Sequence, residues 1–178
     1  MNTIERALIH GLFVHMHHNI DKVIDFKAFQ RLNEQVDKVW PGALLIGPEK
    51  NDDAAVVQIP GMDGYVVAKM ESHCSPCVPR PYDATATGAG GAMRDVVAMG
   101  GRPTFLLDFI GTRPLDEEVI VGPCGFAGKC TCGECKVMTS RDRLNLMIQG
   151  LSDMCRAMDV FVVGGGFSTS FSDIVPAM

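Results

Sequence analysis

The chain has 178 residues, of which 47% are hydrophobic and 21% are charged, and its formal net charge is −5. This composition predicts one domain with a hydrophobic core, and it excludes a disordered chain as well as a nucleic-acid-binding protein that uses a basic surface. No apolar run reaches the roughly 18–20 residues of a membrane span, and the N-terminus lacks a signal-peptide pattern, so we expect a cytoplasmic protein without membrane contacts.

Hydrophobic periodicity and turn residues predict a mixture of helices and strands, typical of an α/β fold of the α+β type. Predicted helices cover 2–17, 25–39, 84–99 and 140–158, and predicted strands cover 43–46, 54–59, 65–68, 103–110 and 160–163. The sequence PGMDG at 60–64 predicts a hairpin turn, so the flanking strands should pair antiparallel. We expect the strands at 103–110 and 160–163 to be buried, with Asp108 interrupting the first, and Ser140 to cap the last helix.

The stretch 69–81, KMESHCSPCVPRP, places a lysine, a glutamate, a histidine and two cysteines in a proline-rich loop after a strand. The glycine-rich sequence TGAGGAMRD follows, and small residues at the start of a helix indicate a site for an anionic ligand. Inside a helix, Gly88, Gly90 and Gly91 would each cost roughly 1 kcal/mol relative to alanine. Close approach to a phosphate or close packing against another helix would each explain them.

Two further segments are candidates for ligand binding. Asp52 and Asp53, in NDDAAVV, stand before a strand, where they form either an ordinary polar turn or a carboxylate pair for a divalent cation. Gly164, Gly165 and Gly166 follow the predicted strand 160–163 and are expected to form a loop whose backbone amides can meet an anion.

Six of the seven cysteines lie in two close-spaced clusters. A four-cysteine shell suits zinc or an iron–sulfur cluster, with a redox-active or disulfide loop and unliganded thiols as alternatives; the four are Cys124, Cys130, Cys132 and Cys135. Cys74 and Cys77, beside His73, are either idle thiols or a nucleophile, sulfur carrier or extra ligand set. Cys155 is expected in the core.

These motifs resemble the N-terminal, ATP-binding domain of the aminoimidazole ribonucleotide (AIR) synthetase superfamily, the PurM-like proteins. KMESHCSP resembles the loop of formylglycinamide ribonucleotide synthase, and ATGAGGAMRDVVAMGGRPTFLLD resembles the helix and strand that follow it. NDDAAVV resembles the acidic motif of the superfamily, and VVGGGFSTSF resembles its later glycine-rich segment. The resemblance implies a mixed, mostly antiparallel sheet with helices on one face, which pairs with a second copy into a dimer.

The resemblance also implies roles for individual residues. Carboxylates that hold the Mg²⁺ ions bridging the ATP phosphates are implied at Asp53, Glu71 and Asp95. Catalytic residues are implied at Lys69, which would meet the phosphates, and His73, which would act in amide activation. Nucleotide-binding glycines are implied at Gly88, Gly90 and Gly91, the helix start, and at Gly164, Gly165 and Gly166, the later loop.

The resemblance implies that 1–178 is a single N-terminal-like domain with a cysteine-rich insertion at about 111–137 and without the family's C-terminal domain. Either a separate chain supplies that second half, or nucleotide binding serves another purpose. The synthase loop has an asparagine and a histidine where this chain has Cys74 and Ser75.

The implied activity is ATP-dependent activation, by phosphoryl transfer, of a carbonyl, amide or phosphate group on an unidentified small-molecule acceptor. An ATP-dependent ligase or synthase, or a kinase-like enzyme, would fit. One alternative is a non-catalytic subunit that senses nucleotide or binds a metal or iron–sulfur cluster through the cysteines of 124–135. Another is a metal- or sulfur-delivery protein that uses Cys74 and Cys77.

Overall fold

The structure, a computed structural model, describes residues 31, 34–35, 37–47, 50, 52–125, 129–169 and 175–177. The predicted helix 2–17 lies outside these residues, whereas the described residues within 31–39 of the predicted helix 25–39 are helical. The chain divides into two compact units, one formed by residues 1–69 and 95–102 and the other by residues 70–94 and 103–178.

The first unit contains a three-stranded antiparallel sheet. Its strands are β1 (Leu44–Ile46), β2 (Ala55–Val57) and β3 (Val66–Ala68), with β2 in the centre. The β2–β3 hairpin confirms the turn predicted at 60–64, where Gly61 and Gly64 have positive φ angles of 83° and 117°. These angles are accessible to glycine at little cost.

The second unit is built on a mixed sheet and two long helices. The helices are α1 (Pro81–Ala98), whose last turn belongs to the first unit, and α2 (Ser140–Ala157). The central strand β4 (Phe105–Gly111) pairs parallel with β7 (Phe161–Ser168) and antiparallel with β8 (Val175–Ala177). Between β4 and α2, the strands β5 (Glu118–Val121) and β6 (Lys136–Thr139) form a separate antiparallel pair.

The core of the second unit lies between the helices and one face of the sheet. One cluster joins Leu106 and Val160 to α1 and α2, and a second joins Ile110 to Cys77, Val78 and both helices. Cys155 is 4% exposed, as expected for a core residue. The predicted α/β fold with helices on one face of a mixed sheet is therefore confirmed.

The expectation that strands 103–110 and 160–163 are buried was wrong. Leu106 and Ile110 are buried, but Phe105 and Leu107 are 61% and 58% exposed. On β7, residues 161–163 are all exposed. The helices cover only one face of the sheet, so an apolar strand sequence does not distinguish burial on both faces from burial on one.

Three local expectations also need correction. Gly88, Gly90 and Gly91 lie inside α1, which already begins at Pro81, so they are not at a helix start. Residues 164–166 belong to β7, which continues to Ser168, and do not form a loop. The cap of α2 is Thr139 rather than Ser140: its hydroxyl accepts a hydrogen bond from Asp142 N, and the Asp142 carboxylate accepts one from Thr139 N, which completes a capping box.

Candidate functional site

Lys69 is the centre of polar contacts in the first unit. Its Nζ donates to the Asp53 carbonyl oxygen at 2.9 Å and lies 2.8 Å from Asp95 Oδ2. The side chain of Asp95 is 7% exposed and that of Lys69 is 24% exposed, so the ion pair is largely shielded from water. The structure therefore brings together three predicted site residues, although Asp53 takes part through its backbone.

The end of β3 and the turn before β2 make these contacts possible. Lys69 directly follows β3, and Asp53 precedes β2, which pairs with β3. Asp53 N donates to Asp52 Oδ1 at 2.9 Å, which stabilises the polar turn. Both aspartates are exposed, so the Asp53 carboxylate is accessible to a ligand.

Glu71 and His73 belong to the second unit, in the loop that leads into α1. Glu71 Oε1 accepts a hydrogen bond from the N–H of the next residue, Ser72, at 3.0 Å. His73 is partly exposed, and its carbonyl oxygen accepts a hydrogen bond from Cys77 Sγ at 3.0 Å. A short 3-10 turn, Ser75–Cys77, follows. The backbone at His73 is therefore held by the cysteine four residues later.

Cys77 is fully buried, whereas Cys74 is partly exposed. Burial is the main cause that raises the pKa of Cys77 to about 12, with the neighbouring Cys74 adding to it and Arg143 opposing it. A thiol with this pKa carries almost no thiolate at neutral pH, and thiolate is the reactive form. The environment of Cys77 therefore favours a packing role over the role of a nucleophile.

The glycines of α1 fall into different environments. A β-carbon at Gly90 would lie 3.2 Å from Met154 Cε on α2, so its absence allows the two helices to pack closely. At Gly91 the corresponding position has no neighbour within 4 Å. Gly88 is buried. Packing explains Gly90, whereas a side chain at Gly91 would meet open space.

Gly150 on α2 was not predicted to have a role, yet it marks a close approach of the two helices. A β-carbon there would overlap the carbonyl oxygen of Tyr82 and lie 2.7 Å from Thr85 Oγ1. The buried Thr85 hydroxyl lies 2.7 Å from the Met147 carbonyl oxygen, to which it donates. An isolated glycine in the predicted helix 140–158 was the available sign, since such a glycine often has a packing reason.

Asp108, on β4, lines an open groove of about 540 Å³ together with residues of α2 and β7, among them Cys155 and Arg156. Burial raises the pKa of the Asp108 carboxyl group. The pKa of Cys155 is also raised, mainly by burial and to a smaller extent by the negative charge of Asp108. The sequence showed Asp108 only as an interruption in an apolar strand. The charged residue in this otherwise apolar strand was the sequence feature that could have indicated the groove.

The four cysteines of the loop between β5 and β6 converge. The Sγ atoms of Cys124, Cys130, Cys132 and Cys135 all lie within 4.8 Å of one another. Hydrogen bonds from Cys132, mainly from its thiol and also from its N–H, lower the pKa of Cys130 to about 6. The pKa of Cys124 rises to about 12, chiefly because its thiol is hydrogen-bonded to Cys132. Among the described residues, no other histidine, cysteine or carboxylate joins this group, so Cys74 and Cys77 are not part of it.

Comparison with known proteins agrees with this fold. The family model "AIR synthase related protein, N-terminal domain" matches residues 51–178. The phosphoribosylformylglycinamidine synthase subunit PurL of Halobacterium salinarum is 35% identical over 131 residues, which is 74% of this chain and 15% of that protein. PurL of Methanosarcina acetivorans is 44% identical over 96 residues, which is 49% of this chain and 13% of that protein.

Two solved structures share the fold at low sequence identity. PurLQS from Thermotoga maritima aligns with a TM-score of 0.55 and 17% identity, over 76% of this chain and 20% of that chain. AaThiL complexed with AMPPCP and TMP aligns with a TM-score of 0.52 and 16% identity, over 82% of this chain and 39% of that chain.

Within the described residues, no helix combines the length and the apolar composition needed to cross a bilayer.

The chain thus spans only about one seventh of the curated PurL proteins that it matches. The family model, however, covers well over half of the chain, and it includes the loop with Lys69 and His73 and both long helices. The chain therefore belongs to the AIR synthase related protein family and matches its N-terminal domain.

Proposed function

We propose that this chain binds ATP with Mg²⁺ and takes part in the ATP-dependent activation of a carbonyl, amide or phosphate acceptor by phosphoryl transfer. Membership of the AIR synthase related family supports this proposal, as does the similarity to PurL, the subunit of a phosphoribosylformylglycinamidine synthase. The acceptor and the reaction are likewise proposed rather than inherited from PurL, because this chain matches only 15% of the length of the PurL protein.

The observation that carries the proposal is the position of Lys69. Its ammonium group is held between the Asp53 carbonyl oxygen and the Asp95 carboxylate at 2.9 and 2.8 Å, which fixes a cation at the end of β3. Phosphoryl transfer requires little covalent chemistry from a protein and depends on cations placed around the phosphates. An oriented lysine is therefore suited to contact the phosphates of a nucleotide.

Carboxylate oxygens are the ligands that Mg²⁺ prefers, and we assign this role to Asp53, Glu71 and Asp95. A bound Mg²⁺ would neutralise phosphate charge. In the proposed reaction, an acceptor oxygen forms a bond to the γ-phosphorus as the bond to ADP breaks. If the reaction is of the synthase type, a nitrogen nucleophile then displaces the phosphate from the activated acceptor. His73, partly exposed in the loop before α1, is the residue assigned to the acceptor.

The sheet face opposite the helices supports an assembly. Phe105, Leu107 and Phe109 alternate along β4 with the buried Leu106 and Ile110 and are 61%, 58% and 40% exposed. A contiguous apolar face of this kind is a common mark of a protein–protein interface. We assign it to pairing with a second copy of the chain.

Nucleotide binding can be tested by thermal unfolding with ATP and Mg²⁺. A ligand at about 100 times its Kd stabilises a protein by about 2.7 kcal/mol, which raises the Tm of a chain of this size by about 5–10 °C. We expect Asp53→Asn to lose most of the shift that depends on Mg²⁺. Asp52→Asn is the matched control, since it removes the neighbouring exposed charge and keeps the oxygen that accepts from Asp53 N.

Absence of any stabilisation at millimolar ATP and Mg²⁺ would overturn the proposal. An equal loss in the two variants would show that the acidic turn acts through its overall charge, which contradicts a ligand role for Asp53. Formation of ADP can then be measured with the purified chain alone and with added candidate partner chains.

A further inference from the structure

The four cysteine sulfurs of loop 122–135 are grouped around Cys132. Cys132 Sγ lies 3.1 Å from Cys130 Sγ and 3.6 Å from both Cys124 Sγ and Cys135 Sγ. The loop connects β5 to β6, and Cys135 directly precedes β6. Chain segments from both ends of the loop thus meet at one point.

These distances fit a shell around a single ion. A zinc–sulfur bond of about 2.3 Å in a tetrahedron places two sulfurs about 3.8 Å apart. The separations of 3.1 and 3.6 Å are somewhat shorter than this value, and all four sulfurs lie within 4.8 Å of one another. A disulfide requires about 2.05 Å. In a polynuclear iron–sulfur cluster the thiolates bind different irons, so they stand further apart than in a shell around one ion.

Backbone amides point at three of the sulfurs. Cys124 N donates to Cys135 Sγ at 3.3 Å, Cys132 N to Cys130 Sγ at 3.4 Å, and Glu134 N to Cys132 Sγ at 3.4 Å. Hydrogen bonds of this kind favour the charged thiolate, which is the form that binds metal. They also hold the ligands in place, as the outer partners of a metal site do.

Two glycines give the loop the shape that this grouping requires. Gly133, between Cys132 and Cys135, has a φ angle of 78°, which is unfavourable for residues with a side chain. At Gly122 φ is 133°, and a β-carbon would lie 2.8 Å from Cys135 Sγ. Any larger residue at Gly122 would displace Cys135. The backbone is therefore shaped around the four sulfurs.

We propose that Cys124, Cys130, Cys132 and Cys135 bind one Zn²⁺ ion in a closed structural site. Zinc suits four thiolates in a tetrahedron, and four protein ligands leave no open position for catalysis. This zinc site rests on contacts that do not depend on the proposed nucleotide chemistry. Its role is to fix the loop between β5 and β6, which otherwise lacks regular structure among its described residues.

The site also supports the loop that carries His73. Gly125, next to Cys124, packs so closely on Val78 that a β-carbon would lie 2.5 Å from Val78 Cγ1. Val78 and Cys77 belong to one core cluster, and Cys77 in turn donates to the His73 carbonyl oxygen. Zinc at the cysteines would thus hold the surface against which this segment packs.

The test is the metal content of the purified chain and of single-cysteine variants. We expect one zinc per chain in the unmodified protein and a loss to near zero in Cys132→Ser and Cys135→Ser. Cys74→Ser is the matched control, because it removes one partly exposed thiol outside the group and should keep one zinc. Substitution with Co²⁺ should produce the visible absorption of a tetrahedral four-thiolate site, and this absorption should vanish in Cys132→Ser.

Hydrogen exchange gives a second measurement that does not depend on activity. Removing zinc with a chelator from the unmodified chain should raise exchange at 73–78 as well as at 129–135, and restoring zinc should reverse both. Three results would overturn the proposal: four free thiols with no metal after reconstitution, a disulfide among the four cysteines under reducing purification, or iron with visible absorption in place of zinc. Circular dichroism of Cys132→Ser shows whether the variant stays folded.

Discussion

Gly165 of β7 lies directly against Asp108 of β4, and a β-carbon at Gly165 would overlap both the carbonyl oxygen and Oδ1 of Asp108. The two residues are partners in the parallel register of these strands. Gly165 also has a φ angle of 155°. The glycine run of 164–166 therefore has at least one structural cause, which is the close passage of the neighbouring strand.

Gly165→Ala should destabilise the chain by roughly 2–4 kcal/mol, because the added methyl group meets backbone that cannot move without breaking the β4–β7 pairing. The matched control is Gly91→Ala inside α1, where a β-carbon meets no neighbour within 4 Å. That change should stabilise the chain by about 0.5–1 kcal/mol. Urea unfolding of the three proteins measures both effects. Equal stabilities of Gly165→Ala and the unmodified chain would contradict the packing explanation.

Lys69→Met should lower the free energy of unfolding by roughly 2–4 kcal/mol, because it leaves the Asp95 carboxylate shielded from water without its ammonium partner. The double variant Lys69→Met with Asp95→Asn should recover part of this loss, since the carboxylate charge that lost its ammonium partner is then absent. Lys50→Met removes an exposed lysine of the same unit and should change stability by less than about 0.5 kcal/mol. Additive effects of the two substitutions would contradict the ion pair.

Much of the fold could be predicted from the sequence because the evidence for it is local. The hairpin at 60–64 follows from its turn residues, and α2 from its apolar stripe. The position of residues 164–166 could not be predicted in this way. A run of glycines ordinarily marks a loop, and only the partner strand, more than fifty residues earlier, explains why Gly165 must lack a side chain.

The candidate site shows the same division. The pairing of β2 with β3 makes the contact of Lys69 with Asp53 a consequence of the predicted hairpin, so the sequence was sufficient to expect it. By contrast, the tight contact of Gly150 with Tyr82 depends on how two helices cross. The spacing of the cysteines indicated a metal site, but the approach of their four sulfurs to within 4.8 Å of one another depends on the fold of the loop.

Cys77 should resist alkylation in the folded chain. Its pKa of about 12, compared with an ordinary value of 9.0, lowers the thiolate fraction about a thousandfold below pH 9, and burial removes access as well. We therefore expect iodoacetamide to modify Cys74 before Cys77 in native protein and both equally in urea, as measured by mass spectrometry of the peptides. Faster labelling of Cys77 would instead support a thiol-transfer role.

The exposed face of β4 should mediate self-association. We expect the unmodified chain at tens of micromolar to have twice the chain mass by light scattering, and Leu107→Glu to have the mass of one chain. Leu107 lies mid-strand and is 58% exposed, so glutamate there is tolerated in the monomer but would be buried as an unpaired charge in a paired sheet.

Val137→Glu is the control for this substitution, since Val137 is a 64% exposed strand residue on the separate β5–β6 pair and should leave the mass unchanged. Two copies that bury this face of β4 remove its apolar side chains from water, so dye binding to exposed apolar surface should rise in Leu107→Glu and not in Val137→Glu. A monomeric unmodified chain would assign this face to a different partner, and a dimer that survives Leu107→Glu would place the interface elsewhere.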